Sequence, residues 1–198
     1  MPELVIQRLH GAAIAAVVDQ LAALRICVFR DFPYLYEGDE AYERRYLQTY
    51  LNSPRSLCLL VKDGDAVVGA STALPLADES REFQQPFVAA AMDLERIFYF
   101  GESVVLPAYR GRGLGVRFFA EREAHARALG GFDWCCFCAV ERPADHPLRP
   151  AGYQPLDRFW QQRGFAHQPQ LRTHYEWQDV GDNHPSAKAM SFWLKEIR

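Results

Sequence analysis

Gly101-Glu102-Ser103-Val104-Val105-Leu106-Pro107-Ala108-Tyr109-Arg110-Gly111-Arg112-Gly113-Leu114-Gly115 is the stretch from which the fold is read. It belongs to a run, Ile97 to Leu106, that is apolar, β-branched and aromatic, broken only by Gly101, Glu102 and Ser103. Such a run predicts a strand buried on at least one face, and Pro107 ends its ladder. Beyond the glycines, Val116, Phe119, Ala120, Ala124 and Ala128 recur at helical spacing, with Arg117, Arg122, Glu123 and Arg127 on the other side, so an amphipathic helix follows until Gly130-Gly131. Three glycines at alternate positions let the backbone approach a ligand and turn free N–H groups toward one point at the positive end of that helix. This is an anion site.

Spacing narrows the anion. A dinucleotide fingerprint needs Gly or Ala where Val116 stands, and a P-loop needs Lys followed by Ser or Thr after its last glycine. What is present is Arg110-x-x-Gly113-x-Gly115 preceded by Val105-x-Pro107-x-Tyr109, which resembles the coenzyme A signature of the GNAT superfamily of N-acetyltransferases.

The 198 residues are 49 % hydrophobic and 13 % aromatic, enough for a sizeable core and consistent with a single domain over the whole chain. A net charge of −3 with basic residues spread along the chain gives no footprint for nucleic acid. No run approaches ~18 uninterrupted apolar residues and Met1-Pro2-Glu3 opens no leader-like pattern, so neither a membrane partner nor export is expected, and the cytoplasm is the expected compartment. Cys27, Cys58, Cys135, Cys136 and Cys138 all lie in apolar runs and read as reduced thiols that behave as small hydrophobes; Cys135-x-x-Cys138 lacks a second ligand pair, so no metal site is expected.

In chain order, Leu4 to Leu9 reads as a strand and Ala12 to Phe29 as a helix with Asp19, Gln20 and Arg25 on its polar side. A loop rich in aromatics, Phe32 to Asp39, follows. Asp39 caps a second helix that carries Tyr42, Tyr46 and Tyr50 on one stripe. Leu57 to Lys62 and Asp65 to Leu74 form a hairpin about Asp63-Gly64. Pro75 to Arg96 reads as a loop and a short helix without legible chemistry. After the glycine turn and its helix, Phe132 to Val140 is a strand reached by a parallel crossover. Glu141 to Tyr153 is a proline-rich irregular loop, Leu156 to Arg163 a short helix, and Leu171 to Val180 and Met190 to Ile197 the last strands.

This order is similar to the GNAT fold: an α/β (α+β) architecture with a mixed, mostly antiparallel central sheet flanked by helices, and a parallel strand-helix-strand unit around the glycine turn. Phe159 to Phe165 also resembles the family's helix-to-strand segment, and Lys62 to Gly69 its central hairpin. The resemblance implies acetyl-CoA as cosubstrate, with the backbone of Val104, Val105 and Leu106 pairing with the pantetheine amides. Arg110, Gly111, Arg112, Gly113, Leu114, Gly115 and Val116 would wrap the pyrophosphate.

The implied reaction is attack of a primary amine, on a small molecule or a peptide, on the thioester. It needs a base, a polarised carbonyl and a route out for the thiolate. Glu102, on the strand beside the expected acetyl position, is the candidate base or amine anchor. The family's frequent tyrosine falls at Trp160, whose indole N–H is no useful acid, leaving Tyr153, Tyr175 and His146 as weak acid candidates. Tyr34, Tyr36, Glu37 and Asp145 are candidate cleft residues, with Asp39 and Glu141 nearby; the aromatic loop reads equally as cover for the core. The chain is expected to be a monomer or homodimer. An acyl-CoA-binding regulatory module without turnover is the alternative to an enzyme.

Overall fold

The computed structural model describes residues 4–198. Seven strands form one sheet: β1 (Val5–Leu9), β2 (Leu57–Asp63), β3 (Ala66–Pro75), β4 (Ile97–Val105), β5 (Trp134–Val140), β6 (Ala166–Trp177) and β7 (Ser186–Glu196), in the spatial order β1-β2-β3-β4-β5-β7-β6. Every pairing is antiparallel except β4 with β5. The helices are α1 (Val18–Phe29), α2 (Glu40–Asn52), α3 (Arg81–Ala89), α4 (Leu114–Leu129) and α5 (Asp157–Gln161).

Period-two alternation sorts the side chains of the sheet between two layers. On one face Leu60, Ala70, Tyr99 and Cys136 pack under Leu21 and Leu24 of α1, Leu47 and Tyr50 of α2, and Phe83 and Phe87 of α3. On the other, Phe98, Phe100, Cys135 and Phe137 meet Phe119 and Ala126 of α4, with Phe159 and Trp160 of α5 against them. Cys135 and Cys138 therefore fall on opposite faces and cannot share a metal, and all five cysteines are free.

Several boundaries differ from the sequence reading for identifiable reasons. The first helix starts as a 3₁₀ segment, Gly11–Val17, and turns α-helical only at Val18. By length and composition Gly11–Phe29 is apolar enough to cross a membrane; here Ile14, Leu21 and Leu24 lie in the core. The hairpin turn is Gly64-Asp65, one residue later than expected, because Asp63 still pairs with Ala66. β6 begins five residues before Leu171: Pro169 sits within a register shift between Gln168 and Arg172, which an edge strand tolerates. α5 keeps only Asp157–Gln161 of the expected helix.

Two irregularities in β4 matter most. From Ser71 to Ala73 β3 advances two residues while β4 advances three, from Ser103 back to Phe100, so β4 carries one extra residue at Gly101-Glu102. The parallel pairing with β5 covers only Ile97–Tyr99 opposite Trp134–Cys136. Past that point the two strands part, leaving that edge of β4 from Phe100 to Val105 without a strand neighbour.

Gly101 is fixed sterically, because a Cβ there would lie 2.0 Å from Tyr50 Oη and 2.5 Å from Thr72 Oγ1. Gly101→Ala is expected to destabilise the fold by about 1–3 kcal/mol. Tyr50→Phe in the same chain should recover part of the loss, a coupling that urea unfolding of the two single variants and the double variant would measure.

Candidate active site

Where β4 and β5 part, a cleft of about 490 Å³ opens and reaches both layers of the fold. Gly101, Glu102 and Ser103 stand at its centre; α1, α2 and the loop after α1 wall one side, while α4, α5 and β7 wall the other.

On the first side Arg25 reaches from α1 between two carboxylates. Its Nε donates to Glu43 of α2, and its Nη1 lies 2.6 Å from Glu102 Oε2. All three are buried, Glu43 completely. Burial works against the Arg25 charge, but the Glu102 and Glu43 carboxylates outweigh it and raise the pKa well above the ordinary guanidinium value. The guanidinium also lies 4.2 Å from the Tyr46 ring centroid and 5.0 Å from that of Phe29. The Arg25–Glu102 contact lacks hydrogen-bond alignment, and Oε1 of both glutamates has no partner. One guanidinium against two carboxylates leaves a net charge of −1 facing the cleft.

Glu79, at the end of a 3₁₀ turn (Leu76–Asp78), is buried behind this group. Its Oε2 accepts from the Ser80 N–H at 2.5 Å, and its Oε1 is unpartnered. Burial, reinforced by the Glu102 charge, pushes its pKa up to about 7.

Of the residues expected at the site, Glu102, Tyr34, Tyr36, Tyr153 and Tyr175 line the cleft. Tyr175 Oη accepts from Tyr42 Oη at 2.5 Å, and burial raises the pKa of both Tyr153 and Tyr175. His146, Glu37 and Asp145 are not on the wall. His146 packs against Phe32 with its Nδ1 accepting from the Leu148 N–H; Glu37 pairs outward with Arg30 at 2.7 Å; Asp145 is exposed on its loop. Arg142 binds the loop after α1 in place, donating to the carbonyls of Pro33 and Tyr34 and to both oxygens of Asp179.

On the far side Trp160 packs against Phe137 and Trp193. Arg122 of α4 lines the cleft although it is only 2 % exposed. It lies between the rings of Phe100 (4.2 Å) and Phe119 (4.8 Å), donates to the carbonyls of Phe118 and Thr72, and meets no carboxylate within 4 Å among the described residues. Burial pulls its pKa down to about 9. Sequence reading set Arg25, Arg122 and Glu123 on polar helix faces, and the structure buries all three. Spacing held the signal: Arg122 follows Phe118 and Phe119 by four and three residues, and Arg25 follows Leu21 by four.

The glycine turn leads from β4 to α4. Gly111 (φ 77°) and Gly113 (φ 78°) occupy left-handed conformations with no atom within 4 Å of where a Cβ would be, so conformation rather than crowding requires glycine. Gly113 precedes the first α4 residue, so the unpaired N–H groups of that helix end are at the solvent-facing turn. Arg110 donates to Val105 O and Arg112 to Ala108 O, both residues exposed; Tyr109 bonds Asp63 at 2.8 Å and braces the turn on the hairpin.

The family described as Acetyltransferase (GNAT) matches residues 21–153. The chain belongs to this family. No curated protein matches it in sequence. Among solved structures, Arabidopsis thaliana NAA60 in complex with acetyl-CoA has a TM-score of 0.62 at 14 % identity, over 98 % of this chain and 99 % of that one. The polyamine N-acetyltransferase of Drosophila melanogaster has 0.61 at 14 % over 98 % and 100 %, and an N-acetyltransferase of Staphylococcus aureus 0.62 at 12 % over 99 % of each. At these identities the likeness is one of fold. It extends past the matched segment to β6 and β7, so the GNAT architecture takes in the last two strands as well as the glycine turn.

Because Glu79 holds its proton in the folded state up to about pH 7, and gives it up near 4.5 when unfolded, folding grows less favourable as pH rises between those values and levels off above. Glu79→Gln is therefore expected to be more stable than the wild type at pH 8, by on the order of 3 kcal/mol, and equal to it below pH 4.5. Urea midpoints across that range would measure this.

Proposed function

We propose that this GNAT-family chain moves an acetyl group from acetyl-CoA to a primary amine by direct attack. The parting of β4 from β5 beside a glycine turn at a helix N-terminus carries the reading. The unpaired edge of β4, including Val104 and Val105, offers backbone groups to the pantetheine amides, and the α4 N–H groups with Arg110 and Arg112 offer a phosphate cradle. Gly111 and Gly113 keep that cradle open, so the residues present fit the cosubstrate, which supplies the activated acetyl thioester.

The amine nitrogen bonds the carbonyl carbon, the carbon–sulfur bond breaks, and the amine's proton leaves to a base, giving an amide and the CoA thiol. Glu102 has an unpartnered Oε1 on the cleft wall and is the base or the amine anchor. Trp160 cannot protonate a thiolate. Tyr175, whose oxygen already accepts from Tyr42, keeps its own proton to give, and Tyr153 is the second hydroxyl. Arg122 brings an uncompensated positive charge that favours an anion in the cleft. Five free cysteines agree with a reducing compartment such as the cytoplasm.

A CoA-binding module without turnover is the second reading, favoured by Trp160 and by the ion pair that holds Glu102. Calorimetry with acetyl-CoA and a thiol-release assay over an amine panel separate the two: binding with release supports the enzyme, and binding without release from any amine supports the module. Glu102→Gln should lower kcat with KM nearly kept if Glu102 is the base, and raise KM if it is the anchor. Gly113→Val should abolish acetyl-CoA binding while the chain stays folded. Arg122→Met, which removes the charge but keeps most of the volume, is expected to lower kcat about 10- to 100-fold with acetyl-CoA affinity nearly unchanged.

A further inference from the structure

We infer that the coenzyme A sulfur leaves as a thiolate under the charge of Arg122, on the α4 side of the cleft, and takes up a proton only afterwards. The inference rests on the acetyltransferase reading and deepens it.

The strand edge gives the sulfur its place. β4 lacks a strand neighbour on this side from Phe100 to Val105, and the glycine turn that would take the phosphates lies past Val105. A cosubstrate laid along the edge from the turn brings its thioester to the far end, where the strands part. The Arg122 guanidinium lies 4.2 Å from the centroid of the Phe100 ring at that end, and it lines the same cleft.

Among the described residues no acid pairs with that charge. Arg122 Nε and Nη1 donate to backbone carbonyls at 3.2 and 3.5 Å, and Nη2 makes no hydrogen bond. Glu102 of β4 is held by Arg25 on the other side of the cleft; Glu123, the next α4 residue, is taken by Lys195 and Arg127. Burial pushes the Cys135 thiol of β5 up to about 12 and raises Tyr50 of α2 as well, so both stay neutral. In a low-dielectric wall a full positive charge stabilises an anion across several Å without touching it.

The same side offers charge but little acid. Ala70 and Val104 face α1, so Ser71 and Ser103 face α4. Ser71 Oγ gives its one proton to Glu102 O at 2.8 Å, so Ser103 is the donor in their 3.0 Å contact and both protons are engaged. Tyr175 packs in the layer of α1 and α2, and Tyr153 against Phe32 of the loop after α1. His167, whose Nε2 lies 2.8 Å from Ser191 Oγ on the cleft wall, is the rival donor to be tested. When the carbon–sulfur bond breaks, its electron pair stays on sulfur and the amine's proton goes to the base. The thiolate then takes a proton from a cleft tyrosine or from water.

Calorimetry of CoA against desulfo-CoA from pH 6 to pH 10 isolates the sulfur. CoA is expected to gain about tenfold or more in affinity relative to desulfo-CoA as pH rises, because the bound thiol ionises about one pH unit or more below a free thiol near 8.5. Arg122→Met should cut that gain to about twofold or less, with desulfo-CoA bound as by the wild type. Should Arg122→Met fail to fold, the wild-type comparison alone decides. His167→Gln should keep kcat within about threefold. CoA bound without a pH-dependent gain, or a gain that survives Arg122→Met, would overturn the inference and leave the acetyltransferase standing. A loss of kcat of about tenfold or more in His167→Gln would overturn it too, making His167 the donor. Failure of both CoA and desulfo-CoA to bind would remove the inference together with the reading beneath it.

Discussion

A guanidinium held between two buried carboxylates joins the parts of the cleft. Arg25 comes from α1, Glu43 from α2 and Glu102 from the irregular stretch of β4, so one group of charges sets two helices against the strand that borders the cleft. Each charge is costly to bury alone, and removing Arg25 leaves both carboxylates uncompensated, at about 3–5 kcal/mol. Two glutamates to one arginine is an imbalance that a well-paired core would not need. The surplus negative charge lies at the opening.

The opening is a consequence of strand geometry. β4 is held along its length by β3, but β5 follows β7 instead once it passes Cys136. A sheet that parts between two neighbours exposes backbone groups that must be satisfied by a ligand or by water. Here the extra residue at Gly101-Glu102 turns Glu102 toward α1, and Tyr50 fills the space a Gly101 side chain would take. The cleft therefore reaches both layers, an acid-bearing aromatic side toward α1 and α2 and an arginine-bearing side toward α4.

Tyr34 and Tyr36 show how far an aromatic loop can be read in a sequence: whether they cover the core or line a cleft was left open, and their side chains both pack on the core and line the cleft wall. Glu37 and Asp145 were candidates on the strength of charge in loops, and their loops turn those carboxylates away. Arg122 and Arg25 had been set on polar faces because charge normally seeks water; a buried arginine is visible only once the ring or the carboxylate that meets it is in place.

The sequence by itself determined the element order, the glycine turn and the family, because turns, caps and apolar periods are local and are written within a few residues. The hairpin about Gly64, the Asp39 cap and the strand-turn-helix from Ile97 to Leu129 are of this kind. The tertiary structure alone decided where β4 leaves β5, that Glu79, from a segment without legible chemistry, sits behind Glu102, and that Arg25 meets both Glu43 and Glu102 on the cleft wall. Those features depend on residues dozens of positions apart meeting in a low-dielectric interior, where burial sets both the charge and its partner.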